Sequence, residues 1–244
     1  MQIRVSFISD KDIVLPIHYN DIVQAFIYSN IDYDLSCFLH DKGFTTNGRT
    51  FKMFSFSRII GRPKMKEGNI NFGKKIQLFI SSPLDDFCSS IANYMLKSNN
   101  MFLGKNNIKT EQIEINNQCV KEDKIIVNTM SPIVVYSTFV RPDNGKYTCY
   151  FMPKEPDFNR LIKENLIKKY KALENKIIES DIEVIPLGPV KQNLTYYKKT
   201  IIKGASGKFL IKGAKELLQI GVDTGFGSKN SQGFGCVKVI NKAQ

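Results

Sequence analysis

Ile220-Gly221-Val222-Asp223-Thr224-Gly225-Phe226-Gly227-Ser228-Lys229-Asn230-Ser231-Gln232-Gly233-Phe234-Gly235 places five glycines within fifteen residues. They are interleaved with Phe226 and Phe234 and with the polar run Ser228 to Gln232. Glycine accepts positive φ and lets a backbone approach a partner closely. Two readings stand on these residues alone. In one, the stretch is a turn before a last strand, Cys236 to Ile240. In the other, its bare N–H groups cradle a phosphate. The common nucleotide fingerprints do not fit. Asn230 follows Gly225-x-Gly227 where a dinucleotide loop needs glycine, and no Gly-Lys-Ser/Thr occurs.

Upstream of this loop, Ala214 to Ile220 reads as a short helix. Leu194 to Lys203 and Lys208 to Lys212 read as a hairpin around Gly204-Ala205-Ser206-Gly207. This region is strongly basic. Val190 to Lys215 holds seven lysines and no acid, and Lys42 to Lys66 holds seven basic residues and no acid. Ordinary surfaces mix both signs, so the two stretches are expected to share one basic face. The net charge is +12, which favours an acidic partner, nucleic acid before an anionic membrane surface.

Other classes are disfavoured. No apolar run approaches the ~18 residues of a membrane helix. Met1-Gln2-Ile3-Arg4-Val5-Ser6-Phe7 alternates like a strand instead of forming a leader's apolar block. The expected location is the cytoplasm. Five scattered cysteines without Cys-x-x-Cys, and only two histidines, argue against a zinc site or a disulfide framework.

The first half begins with a strand over Ile3, Val5 and Phe7. After Pro16, Asn20 is the expected cap of a helix burying Ile22, Val23, Phe26 and Ile27. Cys37 to Phe44 reads as an irregular or short helical loop stopped by Gly43. Phe51 to Ser57 and Lys74 to Ile80 read as strands, joined by an exposed basic turn from Gly61 to Gly68. Ser82 is expected to cap a helix with Pro83 at its first position, and a strand follows at Gln112 to Ile115. This βαββαβ order is the split βαβ, or ferredoxin-like, unit. Lys121 to Lys124 then reads as a linker. Pro132 to Ser137 reads as a buried strand, Tyr147 to Phe151 as a short strand, and Asp157 as the cap of a helix closing near Asn175. Ile182 to Leu187 is another strand. The expected architecture is α+β, two tandem units with the glycine-rich loop at the C-terminal end: residues 1–120 and 125–244.

Several stretches match a known pattern together. They are Leu15-Pro16…Tyr19-Asn20, Phe38-Leu39-His40-Asp41-Lys42-Gly43-Phe44, Phe51-Lys52-Met53-Phe54-Ser55-Phe56-Ser57-Arg58, Ser131-Pro132-Ile133-Val134-Val135-Tyr136, and Gly225-Phe226-Gly227…Gly233-Phe234-Gly235. In that order they resemble the CRISPR repeat-processing endoribonucleases of the RAMP superfamily, across essentially the whole chain. The resemblance implies two tandem ferredoxin-like (RRM-like) domains with an RNA-binding face. It implies cleavage of precursor CRISPR RNA repeats without a metal or other cofactor, leaving a 2′,3′-cyclic phosphate and a 5′-hydroxyl. The implied partners are the repeat RNA and, in some members, subunits of a CRISPR interference complex or a second copy of the chain; no membrane partner is implied.

Such cleavage is attack by the 2′-hydroxyl on the adjacent phosphate, and it needs a base, an acid and cations for the developing charge. Imidazole is suited to acid and base work near neutral pH. His40, in the early motif, is the expected catalytic group. His18 is expected to pack near Tyr19, with a place beside His40 as the alternative. Tyr28 matches a helical tyrosine of the family, to position the 2′-hydroxyl or the phosphate, or else to pack in the core. Lys52 is the candidate for neutralising the phosphate, in competition with Lys42 and Arg49. The residues expected to touch RNA are Lys42, Arg49, Arg58, Lys191, Lys198, Lys199, Lys203 and Lys208. In the loop they are Gly225, Gly227, Lys229, Asn230, Ser231, Gln232, Gly233 and Gly235. Two alternatives stand beside the enzyme: a non-catalytic RAMP subunit that binds guide RNA, and a general single-strand RNA-binding protein.

Overall fold

The computed structural model describes residues 1–142, 144–198 and 200–240. The fold is a mixture of helices and antiparallel sheets. In the first half the main elements are β1 (Gln2–Ile8), α1 (Asn20–Ser29), β2 (Ser55–Phe56), β3 (Lys75–Ser81), α2 (Asp85–Lys97) and β4 (Asn106–Asn116). They form an antiparallel sheet in the order β2-β3-β1-β4, extended at its edge by Met101–Leu103. The alternation in β1 dictates its place. Ile3, Val5 and Phe7 are buried against α1 and α2, in one cluster with Val23, Phe26, Phe87 and Ile91. The opposite face of β1 is polar and also covered. There Gln2 Nε2 donates to Ser81 Oγ and to the Val237 carbonyl of the second half.

The second half contains β5 (Lys124–Thr129), β6 (Val135–Val140), β7 (Lys146–Phe151), α3 (Pro156–Glu174), β8 (Glu183–Pro186), β9 (Lys191–Tyr197), β10 (Thr200–Ser206), β11 (Lys208–Lys212), α4 (Lys215–Thr224) and β12 (Val237–Val239). Its sheet runs β8-β11-β5-β12, all antiparallel. Counting β5, β8, β11 and β12 as first to fourth, both sheets follow second–third–first–fourth. Phe158, Ile162 and Leu166 of α3 pack with Leu217, Leu218, Phe209, Ile211 and Phe226 in a second cluster. Two hairpins, β6–β7 and β9–β10, stand apart from this sheet.

Several local expectations are corrected. The second sheet's first strand is β5, whose Ile125 and Val127 are buried directly after the presumed linker. Ile133 and Val134 are buried but make only isolated bridges, to Ala205 and Gly227, and the strand begins at Val135. The basic hairpin is β9 with β10, turning at Lys198; β11 belongs to the main sheet, and Gly204 to Ser206 lie inside β10. Phe51 to Ser57 is not one strand. Met53 has φ 54°, which interrupts it. Asn20 is the first helical residue instead of the cap. The helix after Pro83 starts at Asp85, and Ser82 Oγ donates to the Met53 carbonyl. Asp157 lies inside the first turn of α3, bonded to Arg160. Among the described residues, no helix is long and apolar enough to cross a membrane.

The halves meet through named polar contacts. Ser131 Oγ donates to the Phe56 carbonyl at 2.9 Å, and the Arg58 N–H to the Met130 carbonyl at 3.0 Å. Asn20 Nδ2 reaches the carbonyls of Gln232 and Gly233 at 2.8 and 3.3 Å. Tyr197 OH donates to Gln24 Oε1. These contacts bring the glycine loop and the tip of the β9–β10 hairpin against α1.

Candidate active site

After α1 the chain turns into a short helix, Tyr33–Cys37. The Asp32 carboxylate caps it by accepting from the N–H groups of Asp34 and Leu35 at 3.0 and 3.2 Å. This helix runs straight into a π-helical turn, Phe38–Lys42, closed by the Gly43 N–H donating to the Phe38 carbonyl at 2.7 Å. A single wide turn of this kind is frequent at functional sites. Leu39 is fully buried and pins the turn. The next residue, His40, is left with 74% of its side chain exposed. Gly43 has φ 63°, and a Cβ there would lie 2.7 Å from the Phe51 carbonyl oxygen. Glycine therefore lets the hairpin Phe44–Thr46/Arg49–Phe51 fold back on the turn. That fold returns Lys52 to His40, and its Nζ donates to the His40 carbonyl at 2.7 Å.

His40 Nδ1 lies 2.7 Å from Asp41 Oδ1. A carboxylate accepts, so Nδ1 carries the proton and Nε2 of the neutral ring keeps its lone pair. Tyr28 packs edge-on to His40, with ring centroids 5.9 Å apart, and to Phe54 at 5.6 Å. Burial pushes the Tyr28 hydroxyl up to about 12; it is a hydrogen-bond donor at neutral pH, not a base. Burial lowers the Lys52 ammonium, partly opposed by Asp41.

These three side chains line one cavity of about 720 Å³ together with Gln24, Lys198 and Gln232. Tyr28, His40 and Lys52, 24 residues apart in sequence at the extremes, thus share a wall. His18 does not join them. Its ring lies 4.9 Å from that of Tyr196, and its Nδ1 accepts from the Tyr196 N–H at 3.3 Å.

The basic residues divide. Lys52 and Lys198 line the His40 cavity from opposite halves. Arg49 and Lys229 line a neighbouring cavity that shares Lys52, Ser231 and Gln232 with it. Arg58 is exposed, lines neither cavity, and reaches across the halves to donate to Asn193 Oδ1 at 3.0 Å. Lys42, Lys191, Lys203 and Lys208 are exposed and line neither cavity. Lys199 lies outside the described residues.

The glycine loop is corrected most. Gly225, Gly227, Gly233 and Gly235 are all buried, so they offer no surface to RNA. Gly233 and Gly235 donate to the carbonyls of Asn230 and Pro132 at 3.0 and 2.8 Å, and Gly227 bridges Val134. A Cβ on Gly235 would stand 2.0 Å from the Phe226 carbonyl oxygen, and one on Gly227 2.4 Å from that of Val134. These are packing glycines. Asn230 is half-buried and lines the neighbouring cavity, with its Nδ2 donating inward to the carbonyls of Phe226 and Phe234. The part of the loop facing the cavities is Ser228 to Gln232.

One residue holding this loop was not among the expected ones. Lys169, 2% exposed, donates from Nζ to the carbonyls of Gly225 and Gly227 at 2.6 and 3.2 Å and to Asn230 Oδ1 at 2.7 Å. Burial lowers its ammonium to about 7. A signal existed in the sequence: Phe158, Ile162, Asn165 and Lys169 follow a 4-3-4 spacing along the apolar face of α3, where lysine needs an internal partner.

Comparison with known proteins adds the following. The family model described as CRISPR associated protein Cas6, C-terminal, matches residues 116–239. The chain is similar to CRISPR-associated endoribonuclease Cas6 1 of Methanocaldococcus jannaschii, at 26% identity over 97% of this chain and 92% of the relative. It is equally similar, at 26%, to a putative CRISPR-associated endoribonuclease-like protein Cas6 of Pyrococcus furiosus, over 94% and 97% of the two chains. Among solved structures it is similar to a CRISPR associated protein Cas6, with TM-score 0.80, 26% identity and 99% of each chain covered. A structure described as a RAMP protein binding different RNA substrates matches with TM-score 0.82 and 25% identity, over 99% of this chain and 100% of the other.

Proposed function

The chain belongs to the Cas6 family of CRISPR-associated proteins, and on that premise we propose that it is an endoribonuclease that binds and cuts the repeats of precursor CRISPR RNA. The observation that carries the reading is the convergence of Tyr28, His40 and Lys52 on one cavity. We read each sheet with its two helices as a ferredoxin-like unit, residues 1–120 and 125–244, with the RNA lying across their junction.

In this reading the reaction is an internal transphosphorylation that uses no metal. The 2′-hydroxyl attacks the adjacent phosphorus and the 5′-oxygen leaves, giving a 2′,3′-cyclic phosphate and a 5′-hydroxyl. His40 Nε2, its tautomer fixed by Asp41, takes the proton of the attacking 2′-hydroxyl and, as imidazolium, returns it to the departing 5′-oxygen. Lys52 supplies positive charge to the phosphorane oxygens. Its bond to the His40 carbonyl holds both groups in one frame. Tyr28, protonated, donates a hydrogen bond to the 2′-oxygen or the phosphate. Lys198 and Lys229 neutralise flanking phosphates, and binding therefore weakens with salt. Release of the product to subunits of an interference complex and self-association as a homodimer belong to the same reading.

The test is chemical. A repeat RNA with a single 2′-deoxy nucleotide on the 5′ side of the cut should bind normally and resist cleavage, and wild-type products should carry a cyclic phosphate. Cleavage of the deoxy substrate would overturn the mechanism. Binding of repeat RNA with no cleavage under any condition would favour the non-catalytic RAMP subunit.

A further inference from the structure

Beside the His40 cavity lies a second one of about 550 Å³, walled by four separate segments. The hairpin after the π-turn contributes Arg49 and Lys52, β6 contributes Tyr136, α3 contributes Asn165, and the glycine loop contributes Lys229 and Gln232. Its polar groups are unbalanced in a particular way. Asn165 is only 6% exposed, and its Oδ1 is buried without a hydrogen-bond partner among the described residues. Gln232 Oε1 is buried and unpartnered in the same sense. An amide oxygen left so costs stability, and native structures seldom tolerate it without a reason. The lining cations are Arg49, Lys52, Lys229 and the buried Lys169; Lys229 Nζ lies 5.2 Å from the Tyr136 ring centroid. Two lining residues, Met53 and Lys229, hold left-handed backbones at φ 54° and 61°, and such non-glycine strain gathers at ligand sites.

A matching ligand must donate hydrogen bonds to two amide oxygens, carry negative charge, and present a flat face to a tyrosine ring. An unpaired nucleotide has all three: base N–H groups, a phosphate and a π-face. We propose that this cavity is a subsite for one unpaired nucleotide of the RNA, adjacent to the nucleotide at His40. Its base draws the Asn165 and Gln232 amide oxygens into the cavity and donates to them, and it stacks on the Tyr136 face that Lys229 covers in the free chain. Its phosphate meets Arg49 and Lys229. Lys52, Ser231 and Gln232, which line both cavities, set the spacing to a neighbour of the scissile phosphate. The inference rests on the RNA-cleaving reading above and adds a specificity-determining pocket to it.

The test is abasic scanning of the repeat RNA with wild type, Asn165→Leu and Tyr136→Ala, with thermal melts to show each variant is folded. In wild type, removing the base at one position beside the cut should lower kcat/KM about tenfold. In Asn165→Leu the intact RNA should already show that loss, mostly in KM, and removing the same base should cost nothing further. Asn165→Asp, which keeps the acceptor oxygen, should restore the penalty. Tyr136→Ala carries the same comparison if Asn165→Leu does not fold. Abasic penalties that persist unchanged at every position in both variants would overturn the subsite. A wild type that cuts no repeat RNA would overturn the functional reading first, and the subsite with it.

Discussion

The Lys52 ammonium donates a 2.7 Å hydrogen bond to the main-chain carbonyl of His40. The bond fastens the π-turn to the segment that follows the hairpin, and it places a cation and an imidazole on the same cavity wall. The lysine therefore has two contributions, anchoring the turn and facing the phosphate.

Alanine removes both contributions, and arginine keeps both. Lys52→Ala should lower the single-turnover cleavage rate about 100-fold, the usual cost of one transition-state charge donor. Lys52→Arg, keeping charge and donor, should recover much of it. Equal defects in both variants, measured at saturating RNA, would show that the charge does not act on the reaction.

Tyr28 should behave as a donor. With its hydroxyl pushed up to about 12 by burial, it holds its proton throughout the working range. Tyr28→Phe should cost about tenfold in rate, within the range of a lost buried hydrogen bond, and leave the shape of the pH–rate profile below pH 10 unchanged. Loss of the alkaline limb in Tyr28→Phe would contradict this.

Lys169 links pH to stability. Its ammonium falls from the ordinary 10.5 to about 7 in the fold. Between those values the unfolded chain holds a proton the folded chain has released, so stability from this group rises with pH, by at most about 1.4 kcal/mol per pH unit. Below pH 7 both states are protonated and the slope vanishes. Lys169→Met should be less stable overall, because three acceptors lose their donor, and should lack that rise. Urea unfolding at several pH values from 6 to 10 reads both. An identical slope in the variant would contradict the assignment.

The loop glycines should differ from a surface glycine. Gly235→Ala drives a Cβ to 2.0 Å from the Phe226 carbonyl oxygen at φ 72° and should destabilise by more than about 2 kcal/mol. Gly48 also has positive φ, 71°, but meets nothing within 4 Å. Gly48→Ala should cost only the backbone strain, about 1 kcal/mol. Equal effects in thermal melts would mean that the loop's packing is looser than described.

Period and punctuation made much of this legible in the chain. The alternation of Ile3, Val5 and Phe7 identifies the central strand, and the apolar spacing of α3 identifies the longest helix. Gly43 ending the His40 turn was readable because a glycine there implies a sharp reversal. The neighbourhood of Tyr28, His40 and Lys52 came from a family resemblance, and the contacts that create it are tertiary. Local ambiguity limits what the chain discloses. Ile133 and Val134 have the composition of a strand, yet their burial comes from a bridge to Ala205 and Gly227. Glycine density suggested a phosphate cradle, whereas the glycines of Gly225 to Gly235 serve close backbone packing that no local pattern distinguishes from it. Asn165 and Lys169 were hidden because a polar residue on an apolar stripe announces that it needs a partner, not which one.

The most direct test of the account is cleavage of an end-labelled repeat RNA in excess EDTA by wild type and by His40→Ala, with RNA binding measured in parallel. The account predicts a single cut by wild type, a loss of at least about 100-fold in His40→Ala, and binding retained in both. A cut that requires added Mg²⁺, or a His40→Ala variant that cleaves as fast as wild type, would contradict it.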